Sequence, residues 1–132
     1  MLDVHAIDAF YGDSHILHGT TLKVGAGQRV ALLGRNGAGK STLLKSVMNA
    51  GPRVAGDIRF EGTALADLAP HRRSRLGLAL VPEDRRIFTH LTVNENIEMA
   101  RYGASKLRPP VPVAEIIARF PMLEKLQKRY GG

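Results

Sequence analysis

Eight consecutive residues, Gly34-Arg35-Asn36-Gly37-Ala38-Gly39-Lys40-Ser41, constrain this chain more than any other stretch of it. Glycines at 34, 37 and 39 let successive backbone N–H groups turn into one concavity, a geometry that a Cβ resists. The run before them, Val30-Ala31-Leu32-Leu33, is apolar throughout and of strand length, the pattern of a strand covered on both faces in a parallel sheet. After them Leu43, Leu44, Val47 and Met48 recur at helical spacing, and Asn49-Ala50-Gly51-Pro52 supplies a helix stop. Strand, glycine loop and helix in this order place the positive end of a helix at the loop, where anions are attracted. The spacing therefore predicts a phosphate cradle, or P-loop, made by Gly34, Asn36, Gly37, Ala38 and Gly39. Lys40 brings an ammonium to the β/γ-phosphates, Ser41 offers a hydroxyl to Mg²⁺, and Thr42 adds a donor. The expected ligand is a nucleoside triphosphate, as Mg-ATP.

A length of 132 residues is enough for one domain with a core, so a single folding unit over 1–132 is expected. The chain has no cysteine, which leaves neither a disulfide framework nor a thiolate metal site and suits a reducing compartment. Its longest apolar runs fall far short of the ~20 residues that span a bilayer. Met1-Leu2-Asp3-Val4-His5 lacks the basic start of a secretory signal, so the default location is the cytoplasm. The net charge of +7 raises the possibility of a polyanion partner. The densest basic cluster, Arg72, Arg73 and Arg75 beside His71, has no interleaved aromatics and reads as a solvated helix face, so no nucleic-acid partner is expected. The five histidines show no ligand spacing and read as structural or surface residues.

The remaining pattern places the loop in an α/β fold, with an antiparallel N-terminal β region, parallel core strands and helices. Leu2 to Ile7 alternates with Leu2, Val4 and Ala6 on one side, and Leu22-Lys23-Val24 follows a turn at Tyr11-Gly12-Asp13-Ser14. Gly56 to Gly62 is a short alternating strand. Pro70 opens a brief helix that Gly77 closes, and Leu78 to Val81 is a second buried-strand pattern ended by Pro82. Thr92-Val93-Asn94-Glu95 is a capping box ahead of a helix that stops at Gly103. A proline-rich connection over 105–112 leads to two short helices, Val113 to Phe120 and Met122 to Tyr130, the second with a Glu124/Lys128 pair.

Several segments together resemble the ATP-binding domain of ABC transporters. Gly34 to Leu44 is similar to that family's Walker A region, Tyr11 matches the aromatic residue that stacks on adenine, and Gly56 to Gly62 resembles the strand after the P-loop helix. Val81-Pro82-Glu83-Asp84-Arg85-Arg86-Ile87-Phe88, with Leu91 to Asn96, resembles the Q-loop region. The sequence is most similar to the ATP-binding subunit of branched-chain amino acid importers. Most of the superfamily has Gln where this chain has Glu83, which reads either as a solvated loop carboxylate or, as a hard oxygen donor to Mg²⁺ directly or through water, as a metal-sensing residue in addition to Ser41.

The resemblance implies a peripheral protein on the cytoplasmic face of the plasma (inner) membrane. Its implied partners are membrane-embedded permease subunits, a second ATP-binding subunit in a head-to-tail dimer and, indirectly, a solute-binding protein. ATP binding and hydrolysis would drive transport. Hydrolysis requires a positioned water, a base and charge stabilisation beyond the γ-phosphate. The family's signature, Walker B acids and switch histidine lie further along than Gly132, and Arg129-Tyr130 stands where Leu-Ser would precede Gly131-Gly132. No catalytic residue is therefore expected within this chain, which should bind nucleotide and hydrolyse it negligibly. The apolar runs at 30–33 and 78–81 should then be left as unpaired edges that promote self-association. The alternatives are a non-catalytic nucleotide-binding fragment and a P-loop NTPase outside transport.

Overall fold

The computed structural model describes residues 1–84, 86–102 and 110–131, with the side chain of Tyr102 outside the description. The chain forms two compact units, Met1–Arg73 and Ser74–Gly132.

The first unit is built on β1 (Leu2–Tyr11), β2 (Ser14–Val24), β3 (Arg53–Phe60) and β4 (Thr63–Ala64), in the spatial order β2-β1-β3-β4 and antiparallel throughout. The hairpin expected around Tyr11 to Ser14 closes with those two residues paired. The core face of β1 departs from simple alternation. Val4, Ile7 and Ala9 are fully buried, whereas Ala6, expected on the Val4 side, is exposed with φ 45°. The ladders to both neighbours slip at this point, and the bulge switches the faces so that Ile7 takes the place in the core. Gly56 on β3 passes directly over the bulge: a Cβ there would lie 2.6 Å from the Ala6 carbonyl oxygen and 2.9 Å from Ile7 Cα.

Helix α1 (Lys40–Met48) lies across the sheet and buries Leu43, Val47 and Met48 against a core that includes Leu17 and Ile58. Each such side chain contributes about 1.5–3 kcal/mol of burial. The stop at Asn49 forms as expected: Asn49 turns left-handed at φ 53°, its amide reaches Ser46 O at 3.1 Å, and the Ala50 amide reaches Lys45 O at 2.9 Å. Helix α2 (Pro70–Arg75) begins at Pro70, and Gly77 closes it with a bond to Ser74 O.

The runs expected as parallel core strands differ from the rest. Among the described residues neither 30–33 nor 78–81 joins a ladder, and Leu33 and Val81 are 92% and 91% exposed. A strand buried on both faces needs hydrogen-bonded neighbours to satisfy its amides and layers to cover its side chains. Sequence pattern supplies the apolar residues but not those neighbours.

In the second unit, α3 (Val93–Tyr102) starts at the predicted capping box. Thr92 Oγ1 accepts from the Glu95 amide at 3.2 Å, and Glu95 Oε2 accepts from the Thr92 amide at 2.8 Å. Asn96 ties the preceding loop down, its Oδ1 accepting from the Phe88 amide and its Nδ2 donating to the carbonyls of Phe88, Leu91 and Thr92. Helix α4 (Val113–Arg119) forms as expected. The helix expected from Met122 is instead a 3₁₀ turn, Pro121–Leu126, because the chain beyond it folds back to pair Tyr130 with Thr92. The Glu124/Lys128 pair does not form among the described residues, and the i,i+4 ion pair lies on α4 between Glu115 and Arg119. The Gly103 stop and most of the proline-rich connection lie outside the described residues.

Candidate functional site

The glycine loop delivers its last residue to the N-terminal end of α1. Gly37 and Gly39 take φ 84° and 89°, and the Leu43 amide reaches Gly39 O at 2.9 Å, which starts the helix. A Cβ on Gly39 would stand 2.7 Å from Leu17 Cδ2, so a side chain there would oblige the leucine methyl to move. Inside the loop the Ala38 amide bonds Arg35 O at 3.1 Å. Among the described residues it is the one amide from Gly34 to Thr42 with a protein acceptor, so its neighbours keep their donors for a ligand.

Lys40 is the first helical residue, and its Nζ donates to Gly34 O and Arg35 O, both at 2.8 Å. The ammonium is thus folded back over the loop that Gly34 opens. Asn36 and Ala38 are exposed on the loop and Ser41 is exposed on the first turn of α1, while Thr42 is buried, its carbonyl accepting the Ser46 hydroxyl at 2.8 Å. Free amides, a helix N-terminus and a positioned ammonium are the donor set that phosphate oxygens require. Ser41 contributes one oxygen suited to Mg²⁺, a cation that commonly keeps waters and substrate phosphates as its other ligands.

Tyr11 stands at the tip of the β1/β2 hairpin, 41% exposed, with its ring beside Gly51 after α1. Gly39 packs on Ile16 and Leu17 of the same hairpin, two to three residues from Ser14, or roughly 7–10 Å along a strand. The hairpin therefore carries Tyr11 and also supports the loop. Glu83 is exposed in a turn of the second unit, next to Asp84, which pairs with Arg86.

Arg73 is the residue whose part the sequence concealed. It was expected on a solvated face with Arg72 and Arg75, yet it is 4% exposed. Its Nη1 donates to Ser46 O at 3.0 Å and Val47 O at 2.8 Å, its Nη2 to Leu65 O at 2.6 Å, and its Nε to Leu68 O at 2.9 Å. The first two carbonyls belong to the last turn of α1, so the guanidinium caps the end of the helix opposite the glycine loop and complements its dipole. Burial pulls its pKa down, but a guanidinium remains charged in a protein. The sequence holds a weak signal for this role, an arginine following a proline-opened turn, and nothing that separates Arg73 from its neighbours.

A family model described as ABC transporter matches residues 17–131, which include the whole loop and α1. The chain belongs to the ABC transporter ATP-binding family. Two curated members match over nearly its full length: the high-affinity branched-chain amino acid transport ATP-binding protein BraG of Pseudomonas aeruginosa, 37% identical over 99% of this chain and 57% of its own, and the probable branched-chain amino acid transport ATP-binding protein LivF of Archaeoglobus fulgidus, 33% identical over 100% and 56%. The chain spans about half the length of these curated relatives. ABC proteins of other cargo also match, including a thiamine import ATP-binding protein of Ruegeria sp., 38% identical over 90% of this chain and 50% of its own. Among solved structures, an ATP-binding subunit of an ABC transporter superposes with a TM-score of 0.75 at 30% identity, over 98% of this chain and 54% of its own. No helix among the described residues of this ABC family member is long and apolar enough to cross a membrane.

Proposed function

We propose that this chain is the nucleotide-binding part of an ABC importer ATPase and that the imported solutes are branched-chain amino acids. The observation that carries the nucleotide reading is the Gly34–Ser41 loop at the start of α1, with unpartnered amides and the Lys40 ammonium above them. In this reading Gly34, Asn36, Gly37, Ala38, Gly39, Lys40, Ser41 and Thr42 hold the phosphates, and the Tyr11 ring meets adenine. Ser41 would offer its hydroxyl to Mg²⁺, which offsets phosphate charge when bound, and Glu83 is assigned a metal-sensing role. The cargo assignment is supported by the two branched-chain relatives that match nearly all of this chain.

The same proposal places the protein at the cytoplasmic membrane face, with permease subunits meeting the segment from Glu83 to Asn96 and a second ATP-binding subunit completing a head-to-tail pair. Ile87 and Phe88, 49% and 48% exposed, give that segment an apolar surface for a protein partner. A solute-binding protein would act through the permease. The 132 residues by themselves are assigned binding with little hydrolysis, because contacts to a ground-state triphosphate do not by themselves favour the transition state.

Titration of the wild type and Lys40→Ala with ATP and ADP, with and without Mg²⁺, tests the site. Loss of one charge-assisted contact should weaken ATP binding roughly 10- to 100-fold. Equal affinity in the two proteins would remove the phosphate assignment. For the cargo, cells lacking the encoded protein should lose uptake of leucine, isoleucine and valine; normal uptake of all three would overturn the importer assignment while leaving the nucleotide site intact.

A further inference from the structure

The outward face of the β1/β2 hairpin holds a side-chain cluster that the nucleotide reading does not use. Asp8 on β1 and His15 and His18 on β2 each present a ligand atom, and these atoms all lie within 4.8 Å of one another. His15 Nε2 is 2.8 Å from Asp8 Oδ1, and the two imidazole rings are 3.7 Å apart at their centroids, tilted by 45°.

Linear spacing hides this arrangement, since residues 15 and 18 of a regular strand point to opposite faces. A slip in register removes the difficulty. Phe10 pairs with His15 but Ala9 with Leu17, so β2 gains one residue on β1 between His15 and Leu17, and His15 and His18 come to the same face. Leu17 is thereby sent into the core while His15 and His18 both emerge beside Asp8. The surroundings fix the cluster further. The Gly19 amide donates to Asp8 Oδ1 at 3.1 Å, and Phe10 stacks on His15 at 4.3 Å with the Arg53 guanidinium over the Phe10 ring.

We propose that Asp8, His15 and His18 form a binding site for a divalent transition-metal ion of the zinc class. Two imidazoles and one carboxylate are the donors that such borderline ions take, whereas Mg²⁺ and Ca²⁺ prefer oxygen throughout. The 2.8 Å nitrogen-to-oxygen distance is close to the edge of a coordination polyhedron, about 2.9–3.3 Å for metal–ligand bonds of about 2.0–2.1 Å. Aromatic stacking on His15 and the Gly19 amide on the carboxylate act as outer contacts that orient the ligands. With side chains 35% and 38% exposed at His15 and Asp8, the site is open to ions from solution and leaves coordination positions for water. The site stands independently of ATP, because none of its three residues belongs to the glycine loop.

The test uses chelator-treated protein without an affinity tag, titrated with Zn²⁺ in a calorimeter and with Co²⁺ followed by visible absorption, in millimolar Mg²⁺. The expected result is one saturable equivalent that Mg²⁺ does not displace, a Co²⁺ band characteristic of mixed nitrogen and oxygen ligands, and at least tenfold weaker binding in His15→Ala, His18→Ala and Asp8→Asn. His71→Ala and His90→Ala serve as controls and should bind as the wild type does. His18→Gln, a substitution at an exposed position, keeps the test decisive if the alanine variants fold poorly. No saturable binding, or equal binding in wild type and His18→Gln, would overturn the site and leave Asp8 and His15 as a simple hydrogen-bonded pair.

Discussion

Gly39 and Leu17 meet so closely that a Cβ on the glycine would lie 2.7 Å from Leu17 Cδ2. The contact joins the end of the glycine loop to the hairpin that carries Tyr11; the φ of 89° favours glycine at this position, and a Cβ would in addition oblige the Leu17 methyl to shift. Gly39→Ala should therefore destabilise the first unit by about 1–3 kcal/mol, combining left-handed backbone strain with overpacking. ATP affinity should fall with it. A variant with unchanged melting temperature and unchanged ATP affinity would show that the loop does not depend on this contact.

Arg73 acts at the other end of the same helix. Replacing it by methionine keeps much of the volume but removes the guanidinium donors from the carbonyls of Ser46, Val47, Leu65 and Leu68. A loss of about 2–4 kcal/mol is expected on chemical denaturation, and Arg73→Lys should fall between, because a single ammonium cannot serve four carbonyls in the planar arrangement of a guanidinium. Arg72→Met and Arg75→Met, at exposed positions on the same helix, should change stability by less than about 0.5 kcal/mol.

Leu33 and Val81 expose nearly all of their surface on runs that join no ladder among the described residues. The 132 residues produced by themselves should self-associate, and Leu33→Lys with Val81→Lys should shift the distribution towards monomer in sedimentation velocity. A sharply melting, monodisperse wild-type monomer would contradict this expectation.

The capping box makes α3 sensitive to acid. Hydrogen bonds from the Thr92 amide and then the Thr92 hydroxyl hold the Glu95 carboxyl below its ordinary value of 4.5. A carboxyl lowered in the folded state contributes stability that is complete above the unfolded value and is lost as pH falls through the folded one. Protection of the α3 amides should accordingly weaken once pH drops below about 4.5, and Glu95→Gln should flatten that dependence. Identical pH profiles in the two proteins would exclude the carboxylate as the source.

The elements that the chain announced on its own are those set by neighbours close in sequence. The glycine loop, the start of α1 after it, the stop at Asn49, the Pro70 turn and the Thr92–Glu95 cap all depend on backbone geometry and bonds spanning a few residues, so local spacing contains them. The proposed phosphate site was legible for the same reason, since its donors are consecutive.

Tertiary structure decided what depends on distant partners. The bulge at Ala6 changed which side of β1 faces the core, and a slip in β2 brought His15 and His18 to the face of Asp8, because register is set by the adjoining strand rather than by the residues themselves. Arg73 became a buried cap because the carbonyls it serves lie up to 27 residues away. Val30, Leu33 and Val81 of the apolar runs remained exposed because burial requires a covering layer, which no pattern of apolar residues along a single segment can supply.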